Sequence, residues 1–200
     1  FSSTPPLSKR TDTDNVYIVE KTTLDKLKKE TAPQEIYVAI PVKDCDGIAY
    51  SLFRDGEYQK EGYNIASMIH TENYYKNNID EYIEKNDIDD ITEIVNTVIF
   101  ARREMCAYRV EANNNTYYIP YYADKTYNVA QNPDCALEMG KAYEKSDFIS
   151  RIEKEKQDYP KYLEQKKKQE QDKKEQEWKQ KYVPIISVNE KGDKTFTING

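Results

Sequence analysis

A run of charged and amide residues constrains this chain more than any other feature, because residues 164–177 contain no apolar side chain. Such a run has nothing to bury in a hydrophobic core. Glu164 and Lys168, like Glu170 and Lys174, are spaced four positions apart, and each such pair stabilises a helix by roughly 0.2–0.5 kcal/mol. If helical, the run extends about 21 Å. It predicts a solvated spacer and not a coiled coil, since the a and d positions carry no apolar residues.

The sequence before this run predicts the start of the same helix. Ser146 stands where an N-cap belongs, and Asp147 would lie in the first turn, where the helix dipole favours a carboxylate. Pro160 predicts a kink or a break. The apolar residues that recur on one side are Phe148, Ile152, Tyr159 and Leu163.

The spacer therefore divides the chain into four parts. We predict a flexible leader over residues 1–14, an α+β domain over 15–145, and a charged helical spacer over 146–182. Residues 183–200 are predicted to form a C-terminal β-hairpin, alone or as part of a second module, that turns near Lys191 and Gly192.

Two Asp-Gly pairs predict the first half of the domain. Asp46-Gly47 and Asp55-Gly56 suit two-residue hairpin turns, which need positive φ. They flank the strand candidate 48–54, so residues 35–62 read as a three-stranded antiparallel meander whose polar third strand lies at an edge. The residues of its first strand that share one face at period two are Ile36, Val38, Ile40 and Val42.

Helical and strand patterns alternate in the flanking segments. Residues 15–20 predict a strand, and Thr22 or Thr23 a cap for the short helix that follows. Residues 64–84 carry an apolar stripe at helical spacing. Residues 88–99 fit a helix as well, but β-branched and aromatic residues favour a turn at 88–92 and then a strand. The fold class is α+β: antiparallel hairpins packed on an amphipathic helix, followed by a long charged helix and a C-terminal β-hairpin.

A tyrosine-rich hairpin is the candidate binding site. Residues 113–115 are three asparagines, which adopt left-handed backbone angles at low cost and predict a turn. Strand alternation places Tyr117 and Tyr121 on one face of the second arm, and Tyr118 and Tyr122 on the other. One set should be buried, which leaves the other for a ligand. Tyrosine rings offer rigid amphipathic contact area suited to a peptide or a glycan.

Composition excludes several classes of partner and site. A formal net charge of −6 and a pI of about 5.1 argue against general binding to nucleic acid or anionic lipid. The sequence contains no run of 18 apolar residues, so it predicts no transmembrane helix. The polar start after Phe1 resembles a leader exposed by signal-peptide removal, so we expect an extracellular or cell-surface protein, with a cytoplasmic location as the alternative.

The three cysteines leave their chemistry open. Cys106 and Cys135 flank the tyrosine hairpin, and in an exported protein they are a candidate disulfide that would stabilise the fold by roughly 3–4 kcal/mol. Cys45 with Cys106 is the competing pairing, and three reduced thiols suit a cytosolic protein. No two cysteines have metal-ligand spacing, so we predict no metal site.

Catalytic signatures are missing from the sequence. It has no glycine-rich phosphate loop, HExxH, GxSxG or CxxC motif, and His70 is its only histidine. Arg102, Arg103 and Arg109 predict a salt-bridged surface. We expect no catalytic residue and no cofactor, and a non-catalytic protein that recognises a protein or a glycan. The alternatives are a carboxylate-based hydrolase acting on glycans and a structural or assembly protein.

Overall fold

The computed structural model describes residues 16–42, 48–63, 79–123, 134–182 and 185–197. Its strands and helices follow in chain order: β1 (Tyr17–Thr23), α1 (Leu24–Lys28), β2 (Glu35–Pro41), β3 (Ile48–Arg54), β4 (Glu57–Tyr63), α2 (Ile79–Lys85), β5 (Ile91–Phe100), β6 (Glu104–Ala112), β7 (Asn115–Ala123), β8 (Tyr143–Glu144), α3 (Lys145–Tyr182), β9 (Ile185–Val188) and β10 (Lys194–Thr197). The predicted α+β class is confirmed. The leader, the Asp46-Gly47 turn, Cys45, His70 and the predicted helix up to residue 78 lie outside the described residues.

A mixed eight-stranded sheet in the order β4-β3-β2-β1-β5-β6-β7-β8 forms the body of the fold. Two antiparallel meanders, β1 to β4 and β5 to β8, lie side by side and are joined by a parallel pairing of β1 with β5. The predicted meander over 35–62 is confirmed, and β4 is an edge strand as expected. The strand predicted to follow residue 92 is β5.

Turn and cap residues explain why the hairpins form where they do. Asp55 and Gly56 have φ values of 50° and 83°, and Asn113 and Asn114 have φ values of 52° and 61°. Two consecutive positive φ angles define the turn whose twist matches that of paired strands. Thr23 caps α1, and its Oγ1 accepts a hydrogen bond from the Lys26 amide at 3.2 Å. The turns predicted at Asp55-Gly56 and at the asparagines, and the cap predicted at Thr22 or Thr23, are therefore confirmed.

The two faces of the sheet are packed differently. The first face carries the buried side chains of the β1–β4 meander, among them Val19, Tyr37 and Leu52, and also Cys106 of β6. The second face is covered over β5 to β8 by α1 and by the start of α3. The buried residues that pack there are Leu24, Ile99, Met105, Ala107, Tyr118, Leu137, Tyr143, Phe148 and Ile152.

Helix α2 packs on the first face against β6 and β7, through Ile79, Tyr82 and Ile83. Asn86, which follows the helix, fixes its end. The Asn86 Nδ2 group donates to the carbonyl oxygens of Tyr82 at 2.6 Å and Gly140 at 2.8 Å, and its Oδ1 accepts from the Ala142 amide at 2.8 Å. One amide side chain thus joins α2 to the segment that leads into β8.

The chain divides into two compact units, residues Phe1–Gln157 and Asp158–Gly200. The division falls inside α3. Phe148, Ile152 and Glu155 of α3 are buried in the first unit. The helix continues through Pro160, so the predicted break does not occur. Among the described residues, no helix combines the length and apolarity needed to cross a bilayer.

The second unit contains the remainder of α3 and the predicted C-terminal hairpin. Residues 164–182 are all exposed, as expected for a helix with no apolar stripe over 164–177. Strands β9 and β10 pair antiparallel, with Ile186 opposite Phe196.

Candidate functional site

The four candidate tyrosines of β7 lie in different surroundings, and Tyr118 is the most buried of them. Its side chain is 2% exposed and stacks on Phe148 of α3, with ring centroids 4.6 Å apart and ring planes 10° apart. Burial raises the pKa of Tyr118 to about 12. This ring belongs to the core that holds α3 on the sheet.

The alternation predicted for the other three tyrosines holds for Tyr117 and Tyr121, which share the first face, but not for Tyr122, because β7 contains a bulge. The register shifts between Cys106 and Ala107, where Cys106 lies opposite Tyr122 and Ala107 opposite Pro120. Pro120 has no N–H for the ladder, and proline inside a sheet is confined to edges and bulges. Tyr121 is the extra residue. As a result Tyr117, Tyr121 and Tyr122 all pack, half-buried, against clusters on the first face.

Another candidate surface lies on the second face of the β1–β4 meander. Strand register places Ile18 opposite Val38, Ile36 opposite Phe53, and Phe53 opposite Tyr58. We call this set of side chains the apolar sheet face; its members are Ile18, Ile36, Val38, Ile40, Phe53 and Tyr58. Among the described residues, this part of the second face carries no packed cluster.

Exposure of neighbouring residues separates the two faces of the same strands. Ile18 is 43% exposed and Tyr58 is 55% exposed, whereas Val19 is 3% exposed. Ile36, Val38, Ile40 and Phe53 are half-buried. An antiparallel sheet with one solvated face normally carries polar residues there. Here the solvated positions carry isoleucine, valine and aromatic residues.

The period-two pattern of β2 predicts part of the apolar sheet face, but it does not identify that face as a candidate site. Of the predicted common face, Ile36, Val38 and Ile40 are half-buried, whereas Val42, beyond the end of β2, is buried. The alternate residues Tyr37 and Ala39 form the buried face of β2. Strand β2 is therefore apolar on both faces, and period two alone does not say which face is covered. A strand that is apolar on both faces within an antiparallel meander indicates an unusual outer surface.

A charged cluster borders the apolar sheet face on the β5–β6 side. Arg109 of β6 donates to Glu20 at 2.8 Å, to Glu93 at 2.9 Å and to Glu111 at 2.7 Å. Burial disfavours the charge of Arg109, but hydrogen bonds and charge from Glu20, with hydrogen bonds from Glu111 and Glu93, outweigh it and raise its pKa. Thr116 donates to Glu111 at 2.7 Å. The predicted salt-bridged role of Arg109 is confirmed.

A cavity of about 230 Å³ opens beside this cluster. The residues that line it are Glu20, Thr22, Lys26, Leu27, Glu30, Thr31, Pro33, Arg109, Glu111, Thr116, Tyr118 and Lys145. A carboxylate-based hydrolase would need a carboxyl group whose pKa is raised in such a cleft. In Glu30 the pKa is lowered, by the hydrogen bond and the charge of Lys145. The cavity contains no observed feature that favours the hydrolase alternative.

Arg102 and Arg103, the other two arginines predicted to be salt-bridged, lie in the bend between β5 and β6. Arg102 forms a buried ion pair with Glu155 of α3, at 2.5 Å between Nη2 and Oε1 and 2.8 Å between Nε and Oε1. This pair ties α3 to the sheet. Arg103 is exposed.

Cys106 and Cys135 are both buried, and the structure has no disulfide between them. Burial, together with the charge of Glu104, raises the pKa of the Cys106 thiol to about 12. A thiol held in this state is a poor nucleophile. Among the described residues, no group of three or more His, Cys, Asp or Glu side chains is arranged to hold a metal ion.

No protein-family model, curated protein or solved structure matches the chain. A proposal of function therefore rests on the fold and on these surfaces.

Proposed function

We propose that this is a non-catalytic binding protein that recognises another protein through the apolar sheet face. One observation supports the proposal most: the second face of the β1–β4 meander carries Ile18, Val38 and Phe53 where a solvated sheet carries polar side chains. Contiguous apolar patches on soluble proteins mark interaction sites.

The energetics of such a surface favour a protein partner. Full burial of an isoleucine or phenylalanine side chain is worth about 1.5–3 kcal/mol. Side chains on paired strands are already held in position, so less conformational entropy is lost on binding than from a flexible loop. The aromatic residues Phe53 and Tyr58, whose ring centroids lie 5.9 Å apart, are of the type that contributes most to protein interfaces.

The proposal includes a location outside the cell or on its surface. It replaces the tyrosine hairpin as the main contact surface, because Tyr118 is buried. A binding role for the half-buried Tyr117, Tyr121 and Tyr122 stays a prediction.

Affinity capture with matched variants tests the proposal. The full chain and its Ile18→Asp/Val38→Asp variant are immobilised and exposed to the proteins of the source organism, and retained proteins are quantified by mass spectrometry. The control is Glu81→Lys/Glu84→Lys, on exposed positions of α2 on the other side of the sheet. We expect at least one protein that binds the wild type and the control but not the Asp variant, and whose purified form shows the same order of affinities. If every retained protein is unaffected by the Asp substitutions, the proposal is wrong.

A further inference from the structure

The charges around the apolar sheet face identify the chemical class of its partner. We infer that the apolar sheet face binds a basic amphipathic polypeptide segment, one whose apolar side chains are flanked by lysine or arginine. The inference rests on the proposed function and adds to it the charge of the partner.

An acidic rim borders the apolar sheet face on two sides; we define it as Glu20, Glu61, Glu93 and Glu111. On the β4 side, Glu61 lies opposite Ser51, which in turn lies opposite Val38. On the β1 side, Glu20 lies directly opposite Ile36. The rim residues therefore share the second face with the apolar side chains; Glu61 and Glu93 are exposed, and Glu20 and Glu111 are half-buried.

The nearby positive charges do not balance the rim. Glu20, Glu93 and Glu111 share the guanidinium group of Arg109, so one positive charge faces three carboxylates. Lys26 lines the adjoining cavity, where its Nζ lies 3.4 Å from the carbonyl oxygen of Ala32. Lys145 is paired with Glu30 at 2.8 Å. With four carboxylates against Arg109 and Lys26, the described charges on this border leave an excess of two negative charges.

This excess decides between classes of partner. An apolar surface bordered by basic residues suits an anionic membrane, whereas an acidic border repels one. Opposite charges at the edge of an interface speed association and select partners, while the apolar centre supplies the affinity. Lysine and arginine on the flanks of a helix or strand match the rim without entering the apolar surface.

The test uses two synthetic helical peptides as probes. Both carry the same leucine stripe; one has lysines on the flanking positions and the other has glutamates. Binding to the full chain is measured by fluorescence anisotropy, with Ile18→Asp/Val38→Asp as the apolar variant and Glu61→Gln/Glu93→Gln as the rim variant. Glu81→Gln/Glu84→Gln on α2 is the control with the same change in net charge on the opposite side of the sheet.

We expect the lysine peptide to bind at least tenfold more tightly than the glutamate peptide. The apolar variant should abolish this binding, and the rim variant should weaken it by about three- to tenfold, the range for partly exposed charge pairs. The control should leave it unchanged. Equal binding of the two peptides, lost in the apolar variant, would overturn the inference and leave the proposed function intact. Binding to vesicles of anionic lipid in place of the lysine peptide, or no binding of either peptide, would also overturn it.

Discussion

Removal of the Arg102 guanidinium should destabilise the first unit strongly. Glu155 is 1% exposed and Arg102 is 10% exposed, and two of their hydrogen bonds measure 2.5 Å and 2.8 Å. The Arg102→Met change leaves the Glu155 carboxylate buried without this partner. Breaking a buried pair on one side costs about 3–5 kcal/mol. Since domains have about 5–15 kcal/mol of total stability, this is a large share.

The direction of the stability change on adding Glu155→Leu to Arg102→Met makes the prediction specific. Glu155→Leu introduces an apolar side chain of similar volume that needs no counter-charge. The double variant Arg102→Met/Glu155→Leu should therefore be more stable than Arg102→Met, and within about 2 kcal/mol of the wild type. Lys28→Met is the control, because it breaks the exposed ion pair with Glu153 on the same helix and should change stability little.

Urea unfolding followed by tyrosine fluorescence measures these differences. All variants carry Trp178→Phe, since Trp178 lies in the second unit, is 60% exposed and would otherwise dominate the emission. The reasoning would be refuted by a cost below about 1 kcal/mol for Arg102→Met, or by a double variant no more stable than the single one. Either outcome would mean that water reaches the Glu155 carboxylate.

Three further predictions concern other parts of the first unit. Asn86→Ala removes three hydrogen bonds that fix the end of α2 and should lower the free energy of unfolding by about 1–3 kcal/mol in urea titrations, whereas Gln59→Ala, which removes an exposed bond to the Glu57 carbonyl oxygen, should cost less. With Cys45 and Cys135 changed to serine, Cys106 should react with a thiol reagent at pH 8 far more slowly in the native protein than in denaturant, because a pKa of about 12 leaves about one thiolate in 10⁴; equal rates would contradict its burial. Burial acts to raise the pKa of Glu35, but hydrogen bonds from Arg54 and Tyr37 and the charge of Arg54 outweigh it and lower that pKa; the stabilisation is therefore complete above the unfolded pKa of about 4.3 and is lost as pH falls through the lower folded value. Unfolding of Glu35→Gln between pH 7 and pH 3 should accordingly vary less with pH than that of the wild type.

Local signals in the sequence were sufficient for the elements they control. Asp55-Gly56 and the asparagines at 113–114 specify turns through backbone angles that few other residues adopt, so the hairpins around them could be predicted. Thr23 caps its helix through its own hydroxyl. Each of these features depends on residues within four positions of one another.

Features that depend on distant residues could not be predicted. The parallel pairing of β1 with β5 joins Val19 to Asn96, and no local pattern encodes it. The bulge in β7 lies next to Pro120, which has no N–H for the ladder. Strand alternation alone does not locate this bulge. The division of α3 between units depends on Phe148 and Ile152 meeting the sheet, which an apolar stripe does not specify.

The candidate site shows the same limit. Strand β2 is apolar on both faces, and only the three-dimensional arrangement shows that Tyr37 and Ala39 are buried while Ile36 and Val38 are half-buried. The rim could not be recognised either, since Glu20, Glu61 and Glu93 lie on three different strands.

Solvent access to individual isoleucine methyl groups tests the central claim, that the apolar sheet face is open in the free protein. The full chain is labelled at isoleucine δ-methyls, and a soluble paramagnetic agent is added while the methyl signals are recorded by NMR. Ile18, Ile36 and Ile40 should broaden at concentrations that leave Ile99, Ile119 and Ile152 unchanged, because the latter three are fully buried. Protection of Ile18, Ile36 and Ile40 equal to that of Ile99 would show that the face is covered within the protein, and the proposed binding surface would not exist.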